Sequence, residues 1–252
     1  MRLFLTSSPC SPYPQKDGQV LYGYSEENGF LRRFKEGWEP GCSCLMISSD
    51  PADFAHNDKM QGEFKGFFDI SGIPVSRLVM CDERNEKDVP GLLSECRMVI
   101  LAGGHVPTQN GFFKRIRLKE LIAGYEGTVM GISAGTMNCA GTVYVQPELA
   151  GESVDPEYVR FLPGLGLTDL MILPHYQNVK NHMLDGRRLM EDITYRDSQG
   201  RTFYALVDGS YVLVQDGREV LYGEAYRIED GEIGKVCEKG ECVVLSAEMY
   251  QT

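Results

Sequence analysis

The sequence predicts an α/β fold: a doubly wound, mostly parallel sheet with helices on both faces. Three observations predict it. Short apolar, β-rich runs alternate with helical stretches along most of the chain, which is the pattern of βαβ units. The run Thr128-Val129-Met130-Gly131-Ile132 passes directly into Ser133-Ala134-Gly135 and then a helical stretch, a strand–turn–helix unit. The length, 252 residues, suits one large α/β domain with a sizeable core.

The elements follow in order. Arg2 to Ser7 reads as a first strand. Ser8 to Pro14 reads as a loop, because its three prolines, Pro9, Pro12 and Pro14, resist both a ladder and a helix interior. Cys44 to Ser48 is a second strand, and Asp50-Pro51 opens a helix carrying Phe54, Phe64, Phe67 and Phe68. Arg77 to Cys81 is a third strand, and Met98 to Ala102 a fourth, ending in Gly103-Gly104. Phe112 to Tyr125 is one amphipathic helix, with Phe113, Ile116, Leu121 and Ile122 on its apolar face. Thr128 to Ile132 is the fifth strand, Asp169 to Leu173 the sixth and Phe203 to Val207 the seventh. After Asp208 the pattern changes to short runs broken by Asp216-Gly217 and Asp230-Gly231, both hairpin signals. No linker, repeat or low-complexity tract divides the chain. The expected organisation is one domain over 1–252 with a C-terminal β-rich extension at about 216–252.

Composition narrows the function classes. Lys and Arg number 25 against 36 Asp and Glu, a net charge of −11. That balance opposes nucleic acid and anionic membrane surfaces, which need surplus cations. The apolar stretches are far shorter than the roughly twenty residues of a membrane-spanning helix, and the Met1–Ser8 start is too short for a signal peptide. Eight cysteines lie partly inside apolar runs, as at Val79-Met80-Cys81. They read as free thiols of a cytoplasmic protein, with core-filling roles. Cys42-x-Cys44 and Cys237-x4-Cys242 lack the usual zinc-knuckle spacing. No spacing in the chain implies a metal or an organic cofactor.

In an open parallel sheet, ligands bind outside the carboxyl ends of the strands. Those ends deliver Gly103-Gly104-His105, Ser133, His175 and Asp208. Gly131-Ile132-Ser133-Ala134-Gly135 fits a G-x-S-x-G nucleophile elbow between strand and helix. Small neighbours permit the tight turn, and the Ala134 N–H faces a developing oxyanion. An ordinary turn serine is the competing reading. Of the four histidines, His56 lies in a polar helical stretch, and His182 follows the sixth strand toward the surface or a substrate rim. His175, fixed at a strand end after Pro174, is the candidate general base. Asp208 is the first candidate for the carboxylate that orients it, with Glu148, Glu152 and Asp155 as rivals on the intervening loop. Gly103-Gly104 offers backbone for a second oxyanion donor. His105 follows the glycine pair, at the rim or one layer behind it, and is a candidate substrate contact. Cys139 follows Ser133 by about a turn and a half of helix and so cannot occupy the nucleophile turn.

Ala102-Gly103-Gly104, Gly131-Ile132-Ser133-Ala134-Gly135, and Gly164-Leu165-Gly166-Leu167 followed by Pro174-His175-Tyr176 resemble the peptidase E and cyanophycinase family of serine peptidases. The resemblance covers roughly residues 1–215. It implies a fold like the class I glutamine amidotransferases, with Ser where those enzymes carry Cys. It implies a hydrolase of short peptides, a dipeptidase cutting next to acidic residues, such as after an amino-terminal Asp. Ser133 would be nucleophile, His175 base, and Gly104 and Ala134 the oxyanion donors. The acid would be Asp208 or, in another placement within the family, Glu148. The family pattern also makes a homodimer plausible. Two departures stand out: His105 replaces an Asn after the glycine pair, and the C-terminal hairpins have no counterpart. An acid-specific pocket would want a forked cation, for which Arg187 and Arg188 are candidates, with a solvated basic patch on the following helix as the equal competing reading for each. The competing reading is a non-catalytic amidotransferase-like module that binds a small ligand or a partner.

Overall fold

A computed structural model of the protein describes residues 1–14, 18 and 20–247. The chain opens with β1 (Arg2–Thr6), a hairpin of β2 (Cys10–Pro14) and β3 (Val20–Tyr24), and α1 (Phe30–Lys35). It continues through β4 (Ser43–Ile47), α2 (Phe54–Ile70), β5 (Arg77–Cys81), α3 (Val89–Glu95) and β6 (Met98–Leu101). Then come α4 (Val106–Arg115), α5 (Leu118–Ile122), β7 (Thr128–Ile132), α6 (Ala134–Asn138), β8 (Thr142–Tyr144) and β9 (Phe161–Pro163). Next are β10 (Met171–Leu173), α7 (Tyr176–Val179), β11 (Met183–Leu184) and β12 (Arg187–Arg188), followed by a π-helical turn (Leu189–Thr194) and α8 (Tyr195–Asp197). The remaining strands are β13 (Thr202–Leu206), β14 (Tyr211–Gln215), β15 (Arg218–Tyr222), β16 (Ala225–Glu229), β17 (Glu232–Cys237) and β18 (Cys242–Ala247).

Eight strands form the main sheet in the order β18-β15-β14-β1-β7-β6-β4-β5. The five from β1 to β5 in that order are parallel, and β14, β15 and β18 add antiparallel. Its central strands alternate between two buried faces. Leu3, Leu5, Leu45, Ile47, Val99 and Leu101 point to one, against α3 to α6. Phe4, Cys44, Met46, Met98 and Ile100 point to the other, against α1 and α2. Burial on both faces is why these strands read as unbroken apolar runs. On the second face, Phe4 meets Phe30 and Phe34 edge-on, with ring centroids 5.6 and 5.4 Å apart.

The sixth and seventh predicted strands, β10 and β13, are parallel to each other but lie in a second sheet of order β10-β13-β16-β17. A strand's sequence records its own apolar run and not its neighbour, so this division was not readable locally. The C-terminal strands are shared between the sheets: β15 and β18 extend the first, and β16 and β17 the second. Both predicted hairpin turns form as two-residue loops with positive φ: Asp216 (52°) and Gly217 (69°), then Asp230 (50°) and Gly231 (83°).

Two local expectations fail. Cys10–Pro14 is a strand, paired antiparallel with Val20–Tyr24. Their sheet has only two strands, and Pro12 and Pro14 are two residues apart. Both missing N–H groups can therefore face the unpaired edge, where proline is tolerated. The amphipathic stretch from Phe112 breaks in two at Arg117, which adopts a left-handed conformation (φ 55°). The apolar face nevertheless holds, with Phe113, Ile116 and Ile122 all buried. Among the described residues no helix is long and apolar enough to cross a membrane.

Candidate active site

The carboxyl ends of strands from both sheets meet at one place. β7 runs into Ser133, β6 into Gly103-Gly104, β10 into Pro174-His175 and β13 into Val207-Asp208. β1 adds Ser7, which the sequence reading passed over although it ends a strand by the same rule.

Ser133 sits in a strained turn (φ 50°, ψ −113°) immediately before α6. A non-glycine residue there persists only where its surroundings fix it. The Ser133 N–H donates to the Thr6 carbonyl (3.1 Å), and the Thr136 hydroxyl donates to the same oxygen (2.8 Å). The flanking glycines are packing requirements. A Cβ on Gly135 would strike the Leu101 carbonyl, and one on Gly131 would lie 2.7 Å from Thr136 N. The helix is thus pressed onto the sheet, and Ser133 stands clear above it.

Ser133 Oγ lies 2.9 Å from His175 Nε2, and His175 Nδ1 lies 2.7 Å from Asp208 Oδ1. His175 also has a left-handed backbone (φ 57°), which turns the chain from β10 into α7. Its own N–H donates to Ser7 Oγ (2.8 Å), and that hydroxyl donates to Asp208 Oδ1 (2.6 Å). Gln177 completes the cradle. Its Nε2 donates to Asp208 Oδ2 (2.6 Å), and its Oε1 accepts from the Asp208 N–H (3.1 Å). Burial alone would raise the Asp208 carboxyl, but the bonds from His175, Ser7 and Gln177 outweigh it and hold it below the ordinary value. An ionised Asp208 puts the proton on His175 Nδ1 and leaves Nε2 to accept from Ser133.

Glu148, the rival acid, makes no hydrogen bond to His175. It is exposed but lines the cavity beside Ser133, where partial desolvation of its carboxyl raises its pKa despite the nearby histidines. The sequence put Asp208 first and kept Glu148 as the alternative. The structure separates them because β13 lies beside β10 and carries Asp208 to the imidazole.

The N–H groups of Gly104 and Ala134 flank the Ser133 turn, and neither donates to an oxygen among the described residues. A Cβ on Gly104 would collide with Ser49 Oγ, so the close approach of this loop requires glycine. His105, expected as a substrate contact, is committed elsewhere. Its Nδ1 meets Thr108 Oγ1 and its Nε2 meets Glu152 Oε1, both at 2.8 Å. Glu152 in turn accepts the N–H groups of Glu148 (2.8 Å) and Leu149 (2.9 Å). The His105–Glu152 pair therefore ties the glycine loop to the 148–152 loop.

The cavity at Ser133 has a volume of about 130 Å³. Val106, Met137, Leu173, Val179 and Leu189 supply apolar walls, and Glu148, His175 and His182 its ionisable ones. His182 is thus on the rim, as one of its two readings held, and His56 is exposed on α2. Arg187, expected to meet an acidic substrate, lies exposed on β12 outside this lining, and Arg188 is bound to Asp192 (2.9 Å). The short β11–β12 hairpin turns both side chains to solvent. Cys139 is fully buried, and burial pushes its thiol far above the ordinary range.

Residues 52–221 match the sequence profile of peptidase family S51. The fold superposes on the crystal structure of a protein provisionally named peptidase E from Listeria monocytogenes EGD-e, with a TM-score of 0.58. That superposition covers 87% of this chain and 96% of the other, at 15% sequence identity, so the likeness is one of fold. No curated protein sequence matches the chain. The profile spans well over half of the chain and includes Ser133, His175 and Asp208: this protein belongs to peptidase family S51 and is a serine peptidase.

Proposed function

We propose that the protein hydrolyses short peptides after their first residue, using Ser133 as nucleophile, His175 as general base and Asp208 as the orienting acid. The observation that carries this reading is the continuous chain Ser133 Oγ–His175 Nε2 (2.9 Å) and His175 Nδ1–Asp208 (2.7 Å). Ser133 gives its proton to His175 Nε2 and attacks the scissile carbonyl carbon. The resulting oxyanion is held between the Gly104 and Ala134 N–H groups. His175 then protonates the leaving amine, and the C–N bond breaks to give an acyl-Ser133. Water, deprotonated by the same imidazole, attacks that ester, and Ser133 recovers its proton. Asp208 stays ionised throughout and stabilises the imidazolium.

The test is labelling with a serine-directed phosphonate, read by peptide mass spectrometry. One adduct on Ser133, abolished by His175→Ala, is expected. Absence of an adduct at every pH tried overturns the reading.

A further inference from the structure

The cavity beside Ser133 is apolar over most of its wall, and among the described residues no Lys or Arg lines it. Glu148 is its carboxylate, on the same lining as Ser133 and His175. An acidic side chain placed there would lose its hydration, meet the imidazoles of His175 and His182 but no ammonium or guanidinium, and face the Glu148 carboxylate. Such burial is strongly unfavourable. The net charge of −11 adds to the penalty at long range. A side chain the size of Leu or Met would instead bury its surface against Val106, Met137, Leu173 and Leu189. A peptide's first residue also carries an ammonium, two bonds from the carbonyl that Ser133 would attack. In this cavity Glu148 is the group able to meet it.

We propose that the Ser133 cavity selects peptides with an apolar first residue, and that Glu148 binds their free α-ammonium. This rests on the serine peptidase reading above and adds the substrate class. It departs from the acidic first residue that the family resemblance implies, because among the described residues the wall offers no Lys or Arg to hold such a side chain. The geometry supports Glu148 in this role and not as the triad acid, since His175 Nδ1 is already occupied by Asp208. Glu148 is exposed yet partly desolvated at this wall, which raises its pKa, and a cationic partner would offset that cost.

The experiment compares Leu-, Met-, Asp- and Arg-first dipeptides, each free and amino-acetylated, on the full-length protein and on Glu148→Gln. Phosphonate labelling of Ser133 is run in parallel. The expected result is that Leu- and Met-first peptides exceed Asp- and Arg-first ones in kcat/KM by tenfold or more. Acetylation should cost the wild type roughly ten- to a hundredfold, the worth of one charge-assisted hydrogen bond. Glu148→Gln should lose that discrimination, mainly through KM, while still labelling at Ser133. Preference for Asp- or Arg-first peptides with Ser133 labelled overturns the substrate class and leaves the peptidase reading standing. Indifference of the wild type to acetylation overturns the role of Glu148. Absence of both labelling and hydrolysis overturns the peptidase reading and this inference with it.

Discussion

Ser7 Oγ donates to Asp208 Oδ1 at 2.6 Å while accepting the His175 N–H at 2.8 Å, so one hydroxyl spans the acid and the backbone of the base. It locks β1 of the main sheet to the two strand ends of the second sheet, where the proposed triad is assembled. Ser7 touches no reacting atom in the proposed mechanism, so it is a positioning residue. Ser7→Ala should lower kcat about tenfold, consistent with loss of a hydrogen bond to a charged group, and leave KM nearly unchanged. Steady-state kinetics on one dipeptide decide this; a rise in KM at constant kcat would contradict it.

The two candidate acids separate by the same measurement. Asp208→Ala should cost on the order of 10³–10⁴ in kcat, because the imidazole loses both its tautomer and its partner. Glu148→Ala should cost far less in kcat. The reverse order would move the third member of the triad to the 148–152 loop.

The glycine loop gives a prediction that couples two positions. Gly104→Ala drives a Cβ into Ser49, displacing the N–H proposed to bind the oxyanion. The expected loss in kcat is about 10²-fold. Adding Ser49→Gly removes the colliding side chain and should recover part of it. Additive losses in the double variant would show that Ser49 does not set the loop position.

Acid sensitivity differs between the carboxylates. Asp208 is held below its ordinary pKa, so its contribution to stability is complete above the unfolded value and is lost as pH falls through the lower folded value. Glu148 is displaced upward, so its ionised form opposes folding at neutral pH and ceases to do so as it is protonated. Glu148→Gln should therefore raise Tm at pH 7 and give a smaller gain near pH 4. Thermal unfolding at the two pH values measures this, and an equal gain at both would remove Glu148 as its cause.

The thiols make a negative control. Cys242 is exposed, whereas Cys44, Cys81, Cys96, Cys139 and Cys237 are buried. Burial pushes the Cys10 and Cys81 thiols up to about 12, where little thiolate is available. Iodoacetamide should modify Cys242 first and leave hydrolysis unchanged. Loss of activity in step with a single alkylation would implicate a thiol in the reaction.

Much of this site was legible in one dimension. Ser133 is announced by its own strand, its glycines and its helix: Gly131 yields space to Thr136 within the turn itself, while Gly135 answers to Leu101 of the neighbouring strand β6. His175 and Asp208 became candidates by a single rule, that ligands bind outside the carboxyl ends of parallel strands, and the structure brings them within hydrogen-bond reach. The paired Asp-Gly turns were readable for the same reason, since positive φ is a property of those residues themselves. What lay beyond the sequence was everything that depends on which strand lies beside which. β10 and β13 form a second sheet, and only their adjacency gives His175 to Asp208 and not to Glu148. Ser7 and Gln177 enter through contacts 201 and 31 residues away in the chain, with no periodic signal to mark them. His105 and Arg187 were both candidate substrate contacts, yet His105 is bound on both ring nitrogens and Arg187 faces solvent. Residue type and local pattern determined which groups can do chemistry. The tertiary structure decided which of them meet, because burial and hydrogen-bond reach are set by segments that share no sequence neighbourhood.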